Sequence, residues 1–177
     1  PNNLINNSRK NTFNVTNELA ILLSWQIGEG HERNNQYCTL ITNSDQDILN
    51  KIMNCINVVS KQYNINFNTP SIKYPKDRIS YVQIYSKEYV KFLENNGYKW
   101  GNLSAKKSIP EFIMNADINI IRSFLTNYFD AEGTISDKGV IEISSASKMT
   151  ITQLYHLLKL FGINSRIKEK NKMATNG

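Results

Sequence analysis

The sequence is poor in cysteine and histidine and has no long hydrophobic run. Its two cysteines, Cys38 and Cys55, do not form a Cys-x-x-Cys pair, and its two histidines have no partner at metal-ligand spacing. We therefore expect reduced thiols in an intracellular protein that is not secreted. No segment approaches the roughly 20 apolar residues of a membrane span, and the Asn-rich beginning has no apolar signal segment. A glycine-rich phosphate loop and a Ser-His-Asp pattern are also missing.

The charge is positive and unevenly spread. Lysine and arginine number 21 against 15 acidic residues, which gives a formal net charge of +6. This excess alone is a weak indication of a polyanionic partner. The basic residues crowd the last part of the sequence, where only Glu169 opposes Lys159, Arg166, Lys168, Lys170 and Lys172.

Two short segments of the sequence repeat one another. Residues 22–30 read LLSWQIGEG and residues 125–133 read LTNYFDAEG, so each apolar helical run ends in a small residue, a glutamate and a glycine. A carboxylate in the last turn of a helix lies at the negative end of the macrodipole, where it is disfavoured. For one motif alone, an ordinary Glu-Gly helix ending is the better interpretation. Because Glu29 and Glu132 occupy equivalent positions, the pair predicts a positive group, most simply a metal ion, between them.

The repeat extends beyond these motifs. A strand-like segment and an amphipathic helix follow each motif, at 36–43 and 48–59 in the first half and at 140–145 and 151–161 in the second. The first half continues with an extended segment at 71–74, a returning strand at 79–85 and a helix at 87–95 capped by Gly97. We predict an N-terminal extension at 1–15, a first half at 16–100, a linker and lead-in at 101–116, and a second half at 117–177.

The predicted fold class is α+β, with two pseudo-twofold-related halves of the αββαββα type around two central packed motif helices. This order requires a short strand before Gln36. The second half has no counterpart of the returning strand and last helix, because residues 171–177 are typical of a turn. We expect either that the chain is a fragment or that this half of the sheet is incomplete or is completed by another chain.

The motif helices suit close, near-parallel packing. Ser24 and Gly28 are four residues apart on one helical face, as are Asn127 and Ala131, and small side chains at that spacing let two backbones approach. The glycine that closes each motif is predicted to adopt a left-handed turn at the helix end.

Such packing would bring Glu29 and Glu132 together with the last carbonyls of each helix, at Gly28 and Ala131. This all-oxygen ligand set favours Mg²⁺, which completes its shell with water and substrate phosphate. A site of this kind can activate water and stabilise the leaving oxygen in phosphodiester hydrolysis.

The strands supply a second pattern. Alternation places Val82 and Ile84 on one face of residues 79–85 and polar side chains on the other, and residues 163–170 alternate in a similar way. A basic, hydrogen-bonding sheet face could lie in a DNA major groove with its lysines on phosphates. A solvated outer sheet face is an equally weighted alternative. The candidate DNA-binding residues are Lys73, Tyr81, Gln83, Tyr85, Glu142, Ser144, Arg166, Lys168 and Lys170.

Together these residues resemble the LAGLIDADG homing endonucleases in their single-chain, two-motif form, over nearly all of residues 16–170. The second motif is the closer match, since Ile27 stands where the first would have an aspartate. Residues 106–113, KKSIPEFI, also resemble the basic segment before the second motif of intein-type members. The resemblance implies a saddle of antiparallel strands on double-stranded DNA, a long and weakly symmetric target, and cleavage of both strands across the minor groove to leave short 3′ overhangs.

The resemblance also implies roles for individual residues. Glu29 and Glu132 match the metal-binding acids, and Asn43 matches a polar residue that orders water at the site. Lys106 or Lys107 is the candidate for the basic residue near the scissile phosphates, although either could be an ordinary phosphate contact. The expected cofactor is Mg²⁺, with Mn²⁺ as a substitute and Ca²⁺ binding without cleavage, and the expected state is a monomer. A non-cleaving nucleic-acid-binding protein on the same scaffold, either an RNA-splicing maturase or a DNA-binding regulator, is the alternative, and the endonuclease part of an intein is a third possibility.

Overall fold

The structure, a computed structural model, describes residues 13–169. The helices in this range are α1 (Asn17–Gly28), α2 (Gln46–Tyr63), α3 (Lys87–Asn95), α4 (Glu111–Met114), α5 (Ile118–Glu132) and α6 (Lys148–Leu160). The strands are β1 (Gly30–Arg33), β2 (Cys38–Thr42), β3 (Ser71–Lys73), β4 (Tyr81–Tyr85), β5 (Gly133–Ile135) and β6 (Ile141–Ile143). Short 3₁₀ turns cover Asn34–Gln36 and Ser104–Lys106.

The two motif helices, α1 and α5, lie side by side at the centre. Eight of the twelve residues of α1 are buried, so the helix has protein on almost every side. Ser123 Oγ donates to Asn17 Oδ1 at 2.9 Å near the first turn of α1, and Gly28 at its last residue meets Ala131 of α5. Contacts that advance in the same direction along both helices make the pair parallel. The predicted meeting of their C-terminal ends is therefore confirmed.

The first half forms a four-stranded antiparallel sheet in the order β1-β2-β4-β3. The side chains of Val82 and Ile84 are buried beneath it against the helices, whereas Tyr81, Gln83 and Tyr85 point to the opposite face. Helix α2 packs on α1 and on the inner face of the sheet, where its apolar stripe contributes to the core. The alternation predicted for this strand is confirmed.

The order of elements in the first half agrees with the predicted αββαββα outline. Strand β1 supplies the short strand expected before Gln36, and α3 has the predicted bounds. Gly97 follows α3 with a φ of +88°, and its N–H donates to the carbonyl of Glu94 at 2.9 Å. This left-handed residue ends the helix as predicted.

The second half repeats only the first part of this plan. Strands β5 and β6 form a two-stranded antiparallel sheet, and α6 follows them as α2 follows β2. Up to residue 169 this half contains no counterparts of β3, β4 and α3. Ile135 and Ile141, paired across the small sheet, are 75% and 60% exposed.

The strand predicted at residues 163–170 is wrong for the part that the structure describes. Residues 163–169 form no strand, and Arg166 and Lys168 lie in an irregular, exposed segment. A strand is stable only when its backbone groups pair with a neighbour, and the alternation of Ile163 and Ile167 supplies no such neighbour. Lys170 lies outside the described residues.

Within residues 13–169, no helix combines the length and apolar character needed to cross a membrane. Cys38 and Cys55 are both buried and both free.

Candidate active site

The C-terminal ends of α1 and α5 touch at their small residues. A Cβ atom placed on Gly28 would lie 3.2 Å from Ala131 Cβ, 3.2 Å from Glu132 Cγ and 3.4 Å from Glu132 Oε1. The helices approach this closely because residue 28 has no side chain. One turn earlier, Trp25 Nε1 donates to Asn127 Oδ1 at 3.4 Å inside the protein. The contact between Gly28 and Ala131 places the side chain of Glu132 directly over the end of α1.

The two motif carboxylates are in an environment that disfavours their charge. Burial raises the pKa of Glu132 above 4.5, and the nearby carboxylate of Glu29 raises it further, while Lys107 opposes both effects. Burial also raises the pKa of Glu29, again against the effect of Lys107. Two acids that resist ionisation next to one another would gain from a cation between them. This electrostatic cause agrees with the expectation from their equivalent positions.

The glycines that close the motifs serve a purpose different from the predicted one. Neither adopts a left-handed conformation, and Gly133 has φ −78° and ψ 140°, which are extended values. A Cβ atom on Gly30 would lie 2.1 Å from Gln26 O, and one on Gly133 would lie 2.4 Å from Phe129 O. The chain turns from helix into strand so tightly that it passes against the preceding helical turn. The predicted left-handed turn is wrong, and the close approach is the physical reason for glycine.

The ammonium group of Lys107 lies at the C-terminal end of α1. Its Nζ donates to Gly30 O at 2.7 Å, to Ile27 O at 2.9 Å and, more weakly, to Gln26 O at 3.4 Å. A cation that satisfies the last carbonyls of a helix is stabilised by the macrodipole. Burial lowers the pKa of Lys107, and the carboxylates of Glu32, Glu132 and Glu29 oppose this shift.

The backbone of the same lysine is held by the second half. Ser147 Oγ and Thr150 Oγ1, at the first turn of α6, donate to Lys107 O at 2.6 and 2.9 Å. Ser147 also caps α6 by accepting from Thr150 N at 3.1 Å. Its neighbour Lys106 ends the 3₁₀ turn and is exposed. Of the two candidate lysines, the structure brings Lys107 to the motif glutamates.

A polar network beneath β1 was not predicted from the sequence. Glu32 Oε1 accepts from Gln26 Nε2 at 2.7 Å and from Tyr98 Oη at 2.6 Å, and Glu32 Oε2 accepts from Gly101 N at 2.6 Å. Tyr89 Oη donates to Gln26 Oε1 at 3.0 Å. Burial, and to a smaller extent the negative charge of Glu32, raises the pKa of Tyr89 and of Tyr98 well above the usual value. The available signal was the alternation of β1, which puts Glu32 on the inner face.

A cavity of about 180 Å³ opens beside Glu132, on the side of the second half. The carboxylate of Glu132, the ammonium of Lys107, and Ser144 and Ser145 after β6 line it. Tyr128 also lines the cavity, and burial raises the pKa of this tyrosine. Ser144, predicted on the outer sheet face with Glu142, follows the end of β6 at Ile143, is exposed and lines this cavity; its contact with DNA stays a prediction.

Asn43 follows the last residue of β2. Its Oδ1 accepts from Asp45 N at 2.8 Å, and its N–H donates to Ser80 O at 3.0 Å. Because Gly30 pairs with Ile41, the end of β2 lies next to the end of α1. The amide of Asn43 is thus near the motif end and shapes the turn that leads into α2. Its role at the site stays a prediction.

The outer face of the four-stranded sheet brings the predicted polar residues of the first half together. Register pairs Lys73 with Tyr81, and Gln83 Nε2 donates to Tyr85 Oη at 2.8 Å. The same register adds two basic side chains of β1 that were not selected from the sequence, because His31 lies in the row of Gln83 and Arg33 in the row of Tyr85. The sequence did not show that residues 30–33 form a strand, so His31 and Arg33 could not be assigned to this face.

The corresponding face of the second half is smaller. Glu142 is exposed on β6, opposite Thr134. Lys148, at the start of α6, approaches Glu169 to 3.7 Å, so one acid partly compensates the basic end segment. Arg166 and Lys168 are exposed within that segment. The two halves therefore present different surfaces.

The fold now has known counterparts among solved structures. I-DmoI in complex with DNA and Mn matches 88% of this chain and 83% of its own, with a TM-score of 0.66 and 17% identity. The N-terminal LAGLIDADG domain of DUF199/WhiA matches 89% of this chain and 72% of its own, with a TM-score of 0.52 and 14% identity. Both likenesses concern the fold, and I-DmoI is a homing endonuclease.

The sequence of the second half matches the LAGLIDADG-like domain over residues 119–177. This match and the two fold likenesses confirm the resemblance to LAGLIDADG proteins that the motifs carry. The mixed helical and antiparallel-sheet architecture of the chain likewise confirms the predicted α+β fold class.

Three curated relatives from Methanocaldococcus jannaschii are similar to this chain over most of its length. The replication factor C small subunit is 32% identical over 160 residues, which are 90% of this chain and 8% of that protein. The RNA polymerase subunit Rpo1C is 33% identical over 77% of this chain and 15% of its own length. A glutamine–fructose-6-phosphate aminotransferase is 28% identical over 91% and 14%. The chain spans only a small part of the length of each.

Proposed function

We propose that this protein is a site-specific endonuclease that hydrolyses both strands of double-stranded DNA with a divalent metal ion. The observation that carries the proposal is the contact between Gly28 and Ala131, which brings Glu29, Glu132 and Lys107 to one place. Paired acids with a neighbouring cation suit phosphodiester hydrolysis. The metal ion that the acids would hold and the ammonium group both stabilise the negative charge that develops on the phosphate.

The residues at the helix ends fit a hard metal ion. Glu29 and Glu132 offer carboxylate oxygens, and the carbonyls of Gly28 and Ala131 are the nearest backbone oxygens in sequence. The described part of the chain has no cluster of three or more His, Cys, Asp and Glu side chains, so water and phosphate would complete the shell, as Mg²⁺ prefers. The ion would activate water and neutralise charge on the phosphate. I-DmoI was solved with DNA and Mn and with DNA and Ca, and one of its variants was solved in the presence of Mg, which supports Mn²⁺ as a substitute and Ca²⁺ as a binding probe.

The protein's own groups would complete the site. Lys107 holds its positive charge beside both glutamates while its bonds to α1 keep it in place, so its field acts on a phosphate lying across the helix ends. The exposed Lys106 would contact the phosphate backbone. The amide of Asn43, near the end of α1, would order water at the first-half side of the site.

The sheet faces would hold the DNA. Lys73, Arg33, Arg166 and Lys168 provide phosphate contacts, and Gln83 and the tyrosines of β4 reach base edges or sugars. Because the two halves present different surfaces, we infer a long target with weak symmetry, bound by one monomer. We also infer that the protein acts inside a cell or organelle, because its proposed substrate is DNA.

The relatives suggest where such a module occurs. A replication factor C small subunit, an RNA polymerase subunit and an aminotransferase bear unrelated names, yet each contains a similar segment as 8–15% of its length. A segment shared by such different proteins carries an activity separate from theirs. This distribution supports the endonuclease part of an intein over a maturase or a regulator, since an inserted element that cuts DNA can spread among unrelated genes.

The test is cleavage of a partly randomised duplex library in Mg²⁺ and in Ca²⁺. We expect discrete double-strand cuts in Mg²⁺, and binding without cuts in Ca²⁺. Glu29→Gln and Glu132→Gln should abolish cleavage while leaving binding in Ca²⁺ intact. Glu94→Gln, on the exposed face of α3, is the matched control and should cut normally. Salt-sensitive binding without any cut would contradict the endonuclease and favour a non-cleaving regulator or maturase.

A further inference from the structure

We propose that Glu32 is a positioning residue that holds the linker so that Lys107 reaches the ends of the motif helices. The inference rests on the proposed function, because it gives a purpose to the lysine at that site. It concerns a carboxylate outside both motifs, on the inner face of β1, where apolar side chains usually face the helices.

Glu32 holds the chain at the entry to the linker through both of its oxygens. Tyr98 Oη and Gly101 N donate to separate oxygens, each at 2.6 Å. A carboxylate placed inside a protein costs free energy that only well-formed hydrogen bonds offset. Gly101 is the first residue of the linker and Tyr98 lies three residues before it, so these two short bonds fix the place where the linker begins.

The same carboxylate also orders the acceptor end of the lysine's site. Gln26 Nε2 donates to Glu32, and Gln26 Oε1 accepts from Tyr89 Oη, so the side chain of Gln26 is held at both of its polar atoms. The backbone carbonyl of Gln26 is one of the three that face Lys107 Nζ. Glu32 thus fixes both the place where the linker begins and the helix end where its lysine must arrive.

The far end of the linker has its own anchor. Ser147 and Thr150 of α6 hold the carbonyl of Lys107, and only a short stretch with one 3₁₀ turn separates it from Gly101. A short segment fixed at both ends has few conformations, so the ammonium is delivered to one place with little loss of entropy. Loss of Glu32 would release one end while the other stays bound.

The first experiment measures how fast an acylating reagent modifies individual lysines in the free protein, read by peptide mass spectrometry. In the wild type, the half-buried Lys107 should react more slowly than the exposed Lys106. In Glu32→Gln, the NH₂ group of the new amide would face a hydrogen-bond donor, either Tyr98 Oη or Gly101 N, so that hydrogen bond is lost. We therefore expect Lys107 to react about tenfold faster, and Lys106 to react at the same rate as in the wild type. Glu88→Gln is the matched control, because Glu88 accepts from Asn66 N at 2.8 Å in another part of the first half.

Equal acylation of Lys107 in the wild type and in Glu32→Gln would overturn the inference. If Glu32→Gln unfolds, every lysine gains reactivity and circular dichroism reports it. Tyr98→Phe is measured in either case, because it removes one hydrogen bond to Glu32 and leaves the carboxylate, whose charge by itself favours the ammonium form of Lys107. It should raise the reactivity of Lys107 selectively by a few-fold, and an unchanged rate in this variant would also contradict the positioning role.

The second experiment is single-turnover cleavage by Glu32→Gln, Lys107→Met and the double variant. If Glu32 acts through Lys107, the double variant should cleave no more slowly than Lys107→Met alone, and DNA binding in Ca²⁺ should be unchanged in Glu32→Gln. Additive losses in rate would overturn the inference. If the wild type does not cleave, the proposed function fails, while the acylation rates still decide the role of Glu32.

Discussion

Substitution of Gly30 tests the reason for glycine at the point where α1 turns into β1. A Cβ atom there would lie 2.1 Å from Gln26 O and 2.8 Å from Gln26 C and Cα. All three are backbone atoms, which cannot rotate away as a side chain can. Relief requires the strand or the helix end to move by roughly 1 Å in a closely packed region.

The size of the effect follows from that displacement. Forcing an extra methyl group into a packed region costs about 1–3 kcal/mol, and a backbone obstacle places Gly30→Ala at the upper end. The lost freedom of the unfolded chain offsets about 0.4–1 kcal/mol. We therefore expect a net loss of roughly 2 kcal/mol, or about 4–8 °C in Tm for a domain of this size. The bond from Lys107 Nζ to Gly30 O, 2.7 Å long, should weaken as well.

Gly139 provides the matched control. It lies in the turn between β5 and β6 with φ +72°, and a Cβ atom there would meet nothing within 4 Å. Ala at this position should lose about 1–2 kcal/mol through left-handed strain alone, and Asn should lose less because it tolerates that conformation. At Gly30 we expect the reverse order of stability for Ala and Asn. The larger Asn side chain clashes more with the backbone of Gln26, and the backbone angle there gives Asn no advantage.

The assay is urea unfolding of the four variants, Ala and Asn at each glycine, followed by circular dichroism. We expect Asn to be better than Ala at residue 139 and no better than Ala at residue 30. A Gly30→Asn protein clearly more stable than Gly30→Ala would refute the close-approach explanation and restore the left-handed turn.

Other predictions concern the carboxylates and the polar contacts of the core. Because burial raises the pKa of Glu132 and Glu29 above 4.5, the unfolded chain loses these protons first as the pH rises, and stability falls through that range. Without divalent metal, Glu132→Gln should be more stable than the wild type at neutral pH, with no advantage below about pH 4, as urea midpoints across pH would report. Mg²⁺ should raise the Tm of the wild type but not of Glu29→Gln in thermal scans. Ser147→Ala should lose about 1–3 kcal/mol in urea unfolding, because its hydroxyl both caps α6 and holds the linker. Trp25→Phe should cost about 1–3 kcal/mol alone and clearly less in an Asn127→Leu background, as a double-mutant cycle would show.

Local patterns were enough to predict the elements that bury one face. The apolar periodicity of α2 and α6 and the alternation of β4 reflect burial of one face against a single core, and this burial can be read from the sequence. The two motif glutamates could be paired because the repeat placed them at equivalent helix ends. These features depend on neighbours within a few residues, or on a symmetry that is visible in the sequence itself.

Features that depend on distant partners could not be predicted. Glu32 acquires its role from Tyr98 and Gly101, and Lys107 from carbonyls about 80 positions earlier. The alternation of β1 places Glu32 on the inner face without indicating its partners, and nothing in the local pattern distinguishes Lys107 from Lys106. The incorrect strand at 163–170 has the same cause. Alternation is a property of one segment, whereas a β-strand also requires a neighbouring strand for its backbone hydrogen bonds.

The anchoring of Lys107 has a consequence for protein engineering. Its ammonium is bound to α1 and its carbonyl to α6, so residues 98–110 belong structurally to both halves at once. Chimaeras that exchange halves between related proteins would therefore do best to transfer this segment together with the β1 and α6 residues that hold it. A junction placed within the segment would separate the lysine from one of its two attachments, and neither parent's pairing would be reproduced.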